Sequence, residues 1–240
     1  MPNPIIVALD VPSADRALAL VSQLASRVGA FKIGSELFTS AGPDIVRQIR
    51  RTGASVFLDL KFHDIPNTVA KAVAAATRLN VQMLTIHTSG GTAMMEAAQA
   101  AAHETARQLA HPAPLILGVT VLTSLMEHDL TEVGVQAENV EAQVKRLAKL
   151  AVDSGLRGLV CSPLELPSLR KLLRPSIQLV TPGVRASSDN TSDQKRTLSA
   201  KAALGAGANW LVIGRPVYAA ADPKKAVEAI LSELQTPAPV

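Results

Sequence analysis

The sequence predicts an α/β fold, a single (β/α)8 barrel running over residues 1–240. Three observations carry that expectation. Eight short aliphatic runs alternate with longer segments of helical period from end to end. No Pro, Gly or Ser-rich shift in composition divides the chain. The length of 240 residues fits eight βα units, since such barrels take ~250 residues. A doubly wound open sheet is the alternative arrangement of the same units.

The strands are expected at IIVAL (5–9), AFKIG (30–34), SVFLD (55–59), QMLTI (82–86), LILGV (115–119), GLVCS (158–162), IQLVT (177–181) and NWLVIG (209–214). Each is a β-branched or aliphatic run of strand length, as a sheet buried on both faces requires. Helices fill the gaps. Ser13 precedes Leu18, Val21, Leu24 and Val28, a polar cap before an apolar stripe. Pro43 precedes Ile45 and Ile49, and Asp222 with Pro223 precedes Val227, Ile230 and Leu234. The clearest helical face joins Val140, Val144, Leu147, Ala148 and Ala151, with Gly155 placed to end it.

Composition excludes several classes of function. A hydrophobic content of 48% supports a large core, as does a mean hydropathy of +0.22. The net charge of +4 comes from 24 Lys and Arg scattered without a run, which suits small anionic ligands better than nucleic acid. Aromatic residues make up 2% of the chain and offer few platforms for stacked bases. The single Cys161 allows no intrachain disulfide and fits a reducing, cytoplasmic compartment. No uninterrupted apolar stretch approaches membrane-span length, and MPNPIIVALDVPSADR lacks a basic region before a hydrophobic one. No Cys/His cluster has zinc spacing, GGTAMM from Gly90 lacks the lysine of a P-loop, and no GxGxxG follows a strand. No metal, ATP or dinucleotide is implied.

A barrel places its chemistry at the carboxyl ends of its strands. The residues there are Asp10, Lys32, Asp59, Lys61, His87, Thr123, Thr181 to Arg185, Gly214 and Arg215, far more polar than the runs before them. FLDLKFHDIPNT, from Phe57 to Thr68, is the densest group. A period of two puts Asp59 and Lys61 on one side of the strand, and Asp64 falls beyond it in the loop. Two carboxylates around one ammonium hold that lysine protonated in a negative neighbourhood, suited to an anion that must later accept a proton. A surface ion-pair cluster is the plain alternative. Asp10 and Lys32 extend the network, whose partly buried charges must satisfy one another.

TPGVR (181–185) and IGRP (213–216) follow the last two strands, where many barrels bind phosphate. Gly214 admits a phosphate to the backbone, and Arg185 and Arg215 offer paired hydrogen bonds. The polar connection 182–193 is long for a βα loop and suits a lid, with Gln194 within reach of a phosphate or base. His87 reads as a near-core imidazole, His63 as a loop residue, His103, His111 and His128 as surface positions, and Cys161 as a buried thiol.

On these motifs the chain resembles the orotidine 5′-monophosphate decarboxylase family in its bacterial branch. The carriers are VALDV (7–11), FKIG (31–34), FLDLKFHDIPNTV (57–69), HTSGG (87–91), VTVLTS (119–124), TPGVR (181–185) and LVIGRPVY (211–218), in order and end to end. The resemblance implies a homodimeric barrel without cofactor or metal that converts orotidine 5′-monophosphate to UMP and CO2. It implies that Lys61 stabilises and protonates a carbon-6 carbanion, with Lys32 and Asp59 beside it. Asp64, Ile65 and Thr68 would reach the partner's site. Asp10, Lys32 and the partner's Thr68 would contact ribose hydroxyls, Thr123 the pyrimidine edge and Pro182 the base. Arg185, Gln194, Gly214 and Arg215 would hold the phosphate side.

Two alternatives stay open. A related barrel family uses magnesium and a similar DxKxxD to decarboxylate sugar-acid phosphates. It carries a glutamate near the end of strand two where this chain has Lys32, and a glycine soon after the last aspartate where this chain has IPNT. The other is a catalytically silent nucleotide-binding barrel, which the intact set of lysines and aspartates disfavours.

Overall fold

The computed structural model describes residues 3–185 and 198–235. Among the described residues there are ten strands: β1 (Ile5–Ala8), β2 (Ala30–Gly34), β3 (Val56–Phe62), β4 (Met83–His87), β5 (Leu115–Val119), β6 (Gly158–Val160), β7 (Gln178–Thr181), β8 (Val184–Arg185), β9 (Leu198–Ser199) and β10 (Trp210–Ile213). Eight of them close a barrel in the order β1-β2-β3-β4-β5-β6-β7-β10, with β10 pairing back to β1, and every pair is parallel. Helices alternate with these strands, so the fold is the expected (β/α)8 barrel and not the open sheet.

All eight expected runs become barrel strands, those at 30–34 and 115–119 with the expected ends and the others with ends shifted by up to three residues. The largest shift is on β3, which continues past Asp59 to Phe62. The pair β8–β9 was not expected. It is a two-residue parallel ladder, Val184 to Leu198 and Arg185 to Ser199, which joins the two ends of the 182–199 connection. Residues 186–197 of that connection lie outside the described residues.

The helices form where the stripes predict them. Ser13 caps Ala14–Leu24 by accepting from the Arg16 N–H. That helix stops at Leu24 and buries Ala17, Leu20, Val21 and Leu24, so Val28 is not part of its face. Asn139 caps Val140–Asp153 through the Ala142 N–H. Beyond that helix, Gly155 takes a φ of +92°, and the Leu156 N–H bonds back to the Ala151 carbonyl. Only a residue without Cβ adopts that turn at little cost. Asp222 caps Pro223–Gln235 through the Lys225 N–H.

Two cores result. The larger lies between strands and helices. The smaller fills the barrel interior with Ile6, Ala30, Phe57, Met83, Leu117, Val180 and Val212 among others. This plug makes the lower barrel solid and gives the upper cavity its floor. His111, expected at the surface, is half-buried instead at the opposite end of the barrel from the cavity, where with Arg50 and Gln82 it lines a second hollow of about 430 Å³. The Nε2 atom of His111 is buried without a hydrogen-bond partner among the described residues.

Candidate functional site

The upper cavity, of about 640 Å³, opens at the carboxyl ends of the barrel strands. Asp10, Lys32, Asp59, Lys61, Thr123, Pro182, Gly214 and Arg215 all line it, so eight of the expected site residues meet in one place.

Four charged side chains form an alternating chain along one wall. Lys32 Nζ donates to Asp10 Oδ1 at 2.9 Å and lies 3.8 Å from Asp59 Oδ2, an ion pair too long for a hydrogen bond. Lys61 Nζ donates to Asp59 Oδ1 at 2.9 Å. Exposure runs from 11% for the Lys32 side chain and 14% for Asp59 through 36% for Lys61 to 46% for Asp10. The two shielded charges, Lys32 and Asp59, are tolerated because each has an opposite neighbour. Within this chain the set is balanced, two carboxylates against two ammoniums, rather than the negative neighbourhood expected around Lys61.

The difference lies in Asp64. It stands in the exposed turn after β3, and its Oδ1 accepts from the Ile65 N–H at 2.6 Å. Neither Asp64, Ile65 nor Thr68 lines the cavity of its own chain. Ile65 is 67% exposed, high for an isoleucine.

Asp59 and Lys61 share a side of β3 as alternation predicts, yet the backbone between them is irregular. β3 advances four residues, Leu58 to Phe62, while β4 advances two, Leu84 to Ile86. The extra length is a bulge, and within it Lys61 has a φ of +51°, a left-handed conformation that costs a non-glycine residue about 1–3 kcal/mol. Nothing in DLKFHD announces it.

On β2, a Cβ placed on Gly34 would stand 3.1 Å from Lys32 Nζ and 3.4 Å from Asp10 Oδ1. The glycine in FKIG therefore leaves room for the lysine to fold over its own strand. Beside Asp10, at the end of the strand that pairs with β1, a Cβ on Gly214 would lie 3.6 Å from the Ala8 Cβ and 3.7 Å from Asp10 Oδ2, so this turn adjoins the charged wall at ordinary contact distance. Arg215 is exposed beside it. Arg185 has its backbone in β8, but its side chain, like all of Gln194, lies outside the described residues.

His87 ends β4 with its ring 5.3 Å from that of His63. Burial first, then the charges of His63 and Lys61, push its pKa down against the opposing pull of Asp59. It does not line the cavity. Cys161 is fully buried, and burial together with nearby Glu165 pushes its thiol up to about 12, so it stays protonated and inert. Sequence reasoning missed Thr85 and Tyr218. Tyr218 lines the cavity, and as the chain's one tyrosine, three residues past Arg215, it was open to notice. Thr85 is fully buried and looks like an ordinary strand residue.

Among the described residues no group of three or more His, Cys, Asp or Glu side chains is arranged to hold a metal ion, and no helix is long and apolar enough to cross a membrane.

The closed parallel barrel, with lysines and carboxylates interleaved at its strand ends and a glycine–arginine turn in the same cavity, defines a barrel enzyme for small anionic substrates. The chain belongs to the orotidine 5′-phosphate decarboxylase / HUMPS family, whose model matches residues 3–230. It is 51% identical over 232 residues to the orotidine 5′-phosphate decarboxylase of Pseudomonas aeruginosa, covering 97% of both chains. It is 50% identical over 232 residues to that of Moorella thermoacetica, covering 96% of this chain and 92% of the relative. The crystal structure of orotidine 5′-phosphate decarboxylase from Lactobacillus acidophilus superposes with a TM-score of 0.86 at 35% identity, covering 98% of this chain and 100% of that one. An uncharacterized conserved protein from Geobacillus kaustophilus superposes with a TM-score of 0.85 at 33% identity, covering 97% and 100%.

Proposed function

We propose that this chain, as one catalytic domain over residues 1–240, decarboxylates orotidine 5′-phosphate to UMP and CO2 in pyrimidine biosynthesis. The observation that carries the reading is the Lys61 ammonium, hydrogen-bonded to Asp59 at 2.9 Å in a cavity also lined by Gly214 and Arg215. Membership of the family, at 51% identity to a decarboxylase, supports the same substrate.

The chemistry follows from the charge order. Breaking the bond between carbon 6 and the substrate carboxylate leaves an electron pair in the plane of the ring. Lys61 stabilises that pair electrostatically as it develops and then transfers a proton to carbon 6. The neutral amine regains its proton from water. Asp59 holds Lys61 in place and crowds the leaving carboxylate; Lys32, tied to Asp10, bridges toward the ribose hydroxyls. Thr123 faces the pyrimidine edge and Pro182 the base. The phosphate lies with Gly214 and Arg215, joined by Arg185 and Gln194. Binding energy at the phosphate, remote from carbon 6, is available to favour the transition state. No cofactor or metal takes part.

The working unit is a cytoplasmic homodimer in which Asp64, Ile65 and Thr68 enter the partner's site. All three are exposed, Asp64 and Ile65 in the turn after β3 and Thr68 in the first turn of the helix Pro66–Thr77, which supports this. The partner's Asp64 would raise the carboxylates around the two lysines to three and restore the negative neighbourhood that one protomer lacks. Mixing Lys61→Ala with Asp64→Ala subunits, each inactive alone, is expected to return activity through one intact site per heterodimer. Proven subunit exchange without any recovery would rule out the shared site.

The activity itself is tested by adding orotidine 5′-phosphate to EDTA-treated protein and following loss of orotate absorbance with CO2 release. Stoichiometric conversion to UMP is expected. Folded protein that releases no CO2 would overturn the assignment.

A further inference from the structure

We infer that Thr85 is a positioning residue for the reaction, holding Lys61 and Asp59 in register through one hydroxyl group. The inference rests on the roles proposed above for those two residues. Thr85 is fully buried on β4, directly below the mouth. Its Oγ1 donates to Asp59 Oδ1 at 2.9 Å and accepts from the Lys61 backbone N–H at 2.9 Å. Lys61 Nζ returns to the same Asp59 Oδ1 at 2.9 Å. Backbone and ammonium of one lysine are thus closed into a ring by a single hydroxyl and a single carboxylate oxygen.

The bulge explains why a side chain is needed there. Between Leu58 and Phe62 the ladder to β4 is interrupted, and the Lys61 N–H bonds to the Thr85 hydroxyl instead of to a β4 carbonyl. A buried N–H demands a partner, and the left-handed φ of +51° at Lys61 persists only when its surroundings impose it. Thr85 supplies the acceptor and, with its one proton, fixes which way the Asp59 carboxylate faces. Of the hydroxyl residues, threonine suits the site because its branched Cβ restricts χ1 and keeps the oxygen aimed.

Thr85→Val keeps the shape and deletes both bonds. Its kcat is expected to fall about 10- to 150-fold, the range for losing a hydrogen bond to a charged group, while the Kd for UMP stays within about threefold, because Thr85 itself lies below the ligand. Thr85→Ser keeps the hydroxyl and is expected to recover most of the kcat. A merely structural threonine would show no such split and no such rescue. A folded Thr85→Val enzyme with kcat within about threefold of wild type, or a Thr85→Ser enzyme as slow as Thr85→Val, would overturn the inference. Should the valine variant not fold, Thr85→Ala is read by the same criteria. The wild-type assay separates this outcome from failure of the functional reading. Independently of turnover, a crystal structure of the variant is expected to lose the 2.9 Å contact between Lys61 Nζ and Asp59; an unchanged contact with Lys61 still left-handed would count against Thr85.

Discussion

On three neighbouring strands, two inward-facing residues one pleat apart are opposite in character. Ala30 lies below Lys32 on β2, Phe57 below Asp59 on β3, and Met83 below Thr85 on β4. The lower set joins the apolar plug; the upper set carries hydrogen bonds and charge. A step of two residues, about 6.6 Å along a parallel strand, separates packing from chemistry. The plug is held by contact alone and tolerates no water, whereas the upper layer needs an opposite partner for every charge. Phe57 belongs to both, filling the interior and flooring the cavity.

The sharpest way to test that division is to remove one residue from each layer. Lys61→Ala is expected to lower kcat by about four or more orders of magnitude, since it removes both the stabilising charge and the proton donor, while UMP binding stays measurable by calorimetry. Near-normal turnover would dissolve the distinction. Ile6→Ala, in the plug, is expected to cost about 2–5 kcal/mol of stability, read as a lowered midpoint of urea unfolding, with kcat at low temperature little changed. Gly34→Ala probes the border between the layers. Its Cβ would press on the Lys32 ammonium from 3.1 Å and on Asp10 from 3.4 Å, so the KM is expected to rise about tenfold with folding intact. An unaltered KM would show that Lys32 yields easily.

The smallest expected effect is at His87, beside the upper layer. Its folded-state pKa lies below the ordinary value of 6.5, mainly through burial. The unfolded chain therefore binds the proton more readily, and stability falls as the pH drops below 6.5 toward the lower folded value. His87→Gln is expected to flatten that part of the stability–pH curve, measured by thermal melts between pH 7 and about 5. An unchanged slope would remove His87 as its source.

The two layers were not equally legible in the sequence. The barrel was, because eight aliphatic runs of strand length leave few other folds, and the strand-end rule then selected Asp10, Lys32, Asp59 and Lys61 from the 44 Lys, Arg, Asp and Glu residues. The bulge was hidden, because a left-handed lysine has no glycine to mark it. Thr85 was hidden because QMLTI is a good strand sequence in which threonine is an ordinary β-former. The absence of Asp64 from its own cavity was legible only as a loop position; its contact with the Ile65 N–H depends on turn geometry. The β8–β9 ladder was too short to leave a pattern. His111 sits in a proline-rich connection, LAHPAP, where its half-burial depends on tertiary packing.

The bulge also sets what can be borrowed from this molecule. A designer who grafts the segment from Asp59 to Asp64 onto another barrel transfers the lettering of the motif without the offset that aims it. Since β3 runs four residues against two of β4, the portable unit is the pair of strands with Thr85 between them. A graft of one strand alone would be drawn back into regular alternation and lose the ring that ties Lys61 to Asp59.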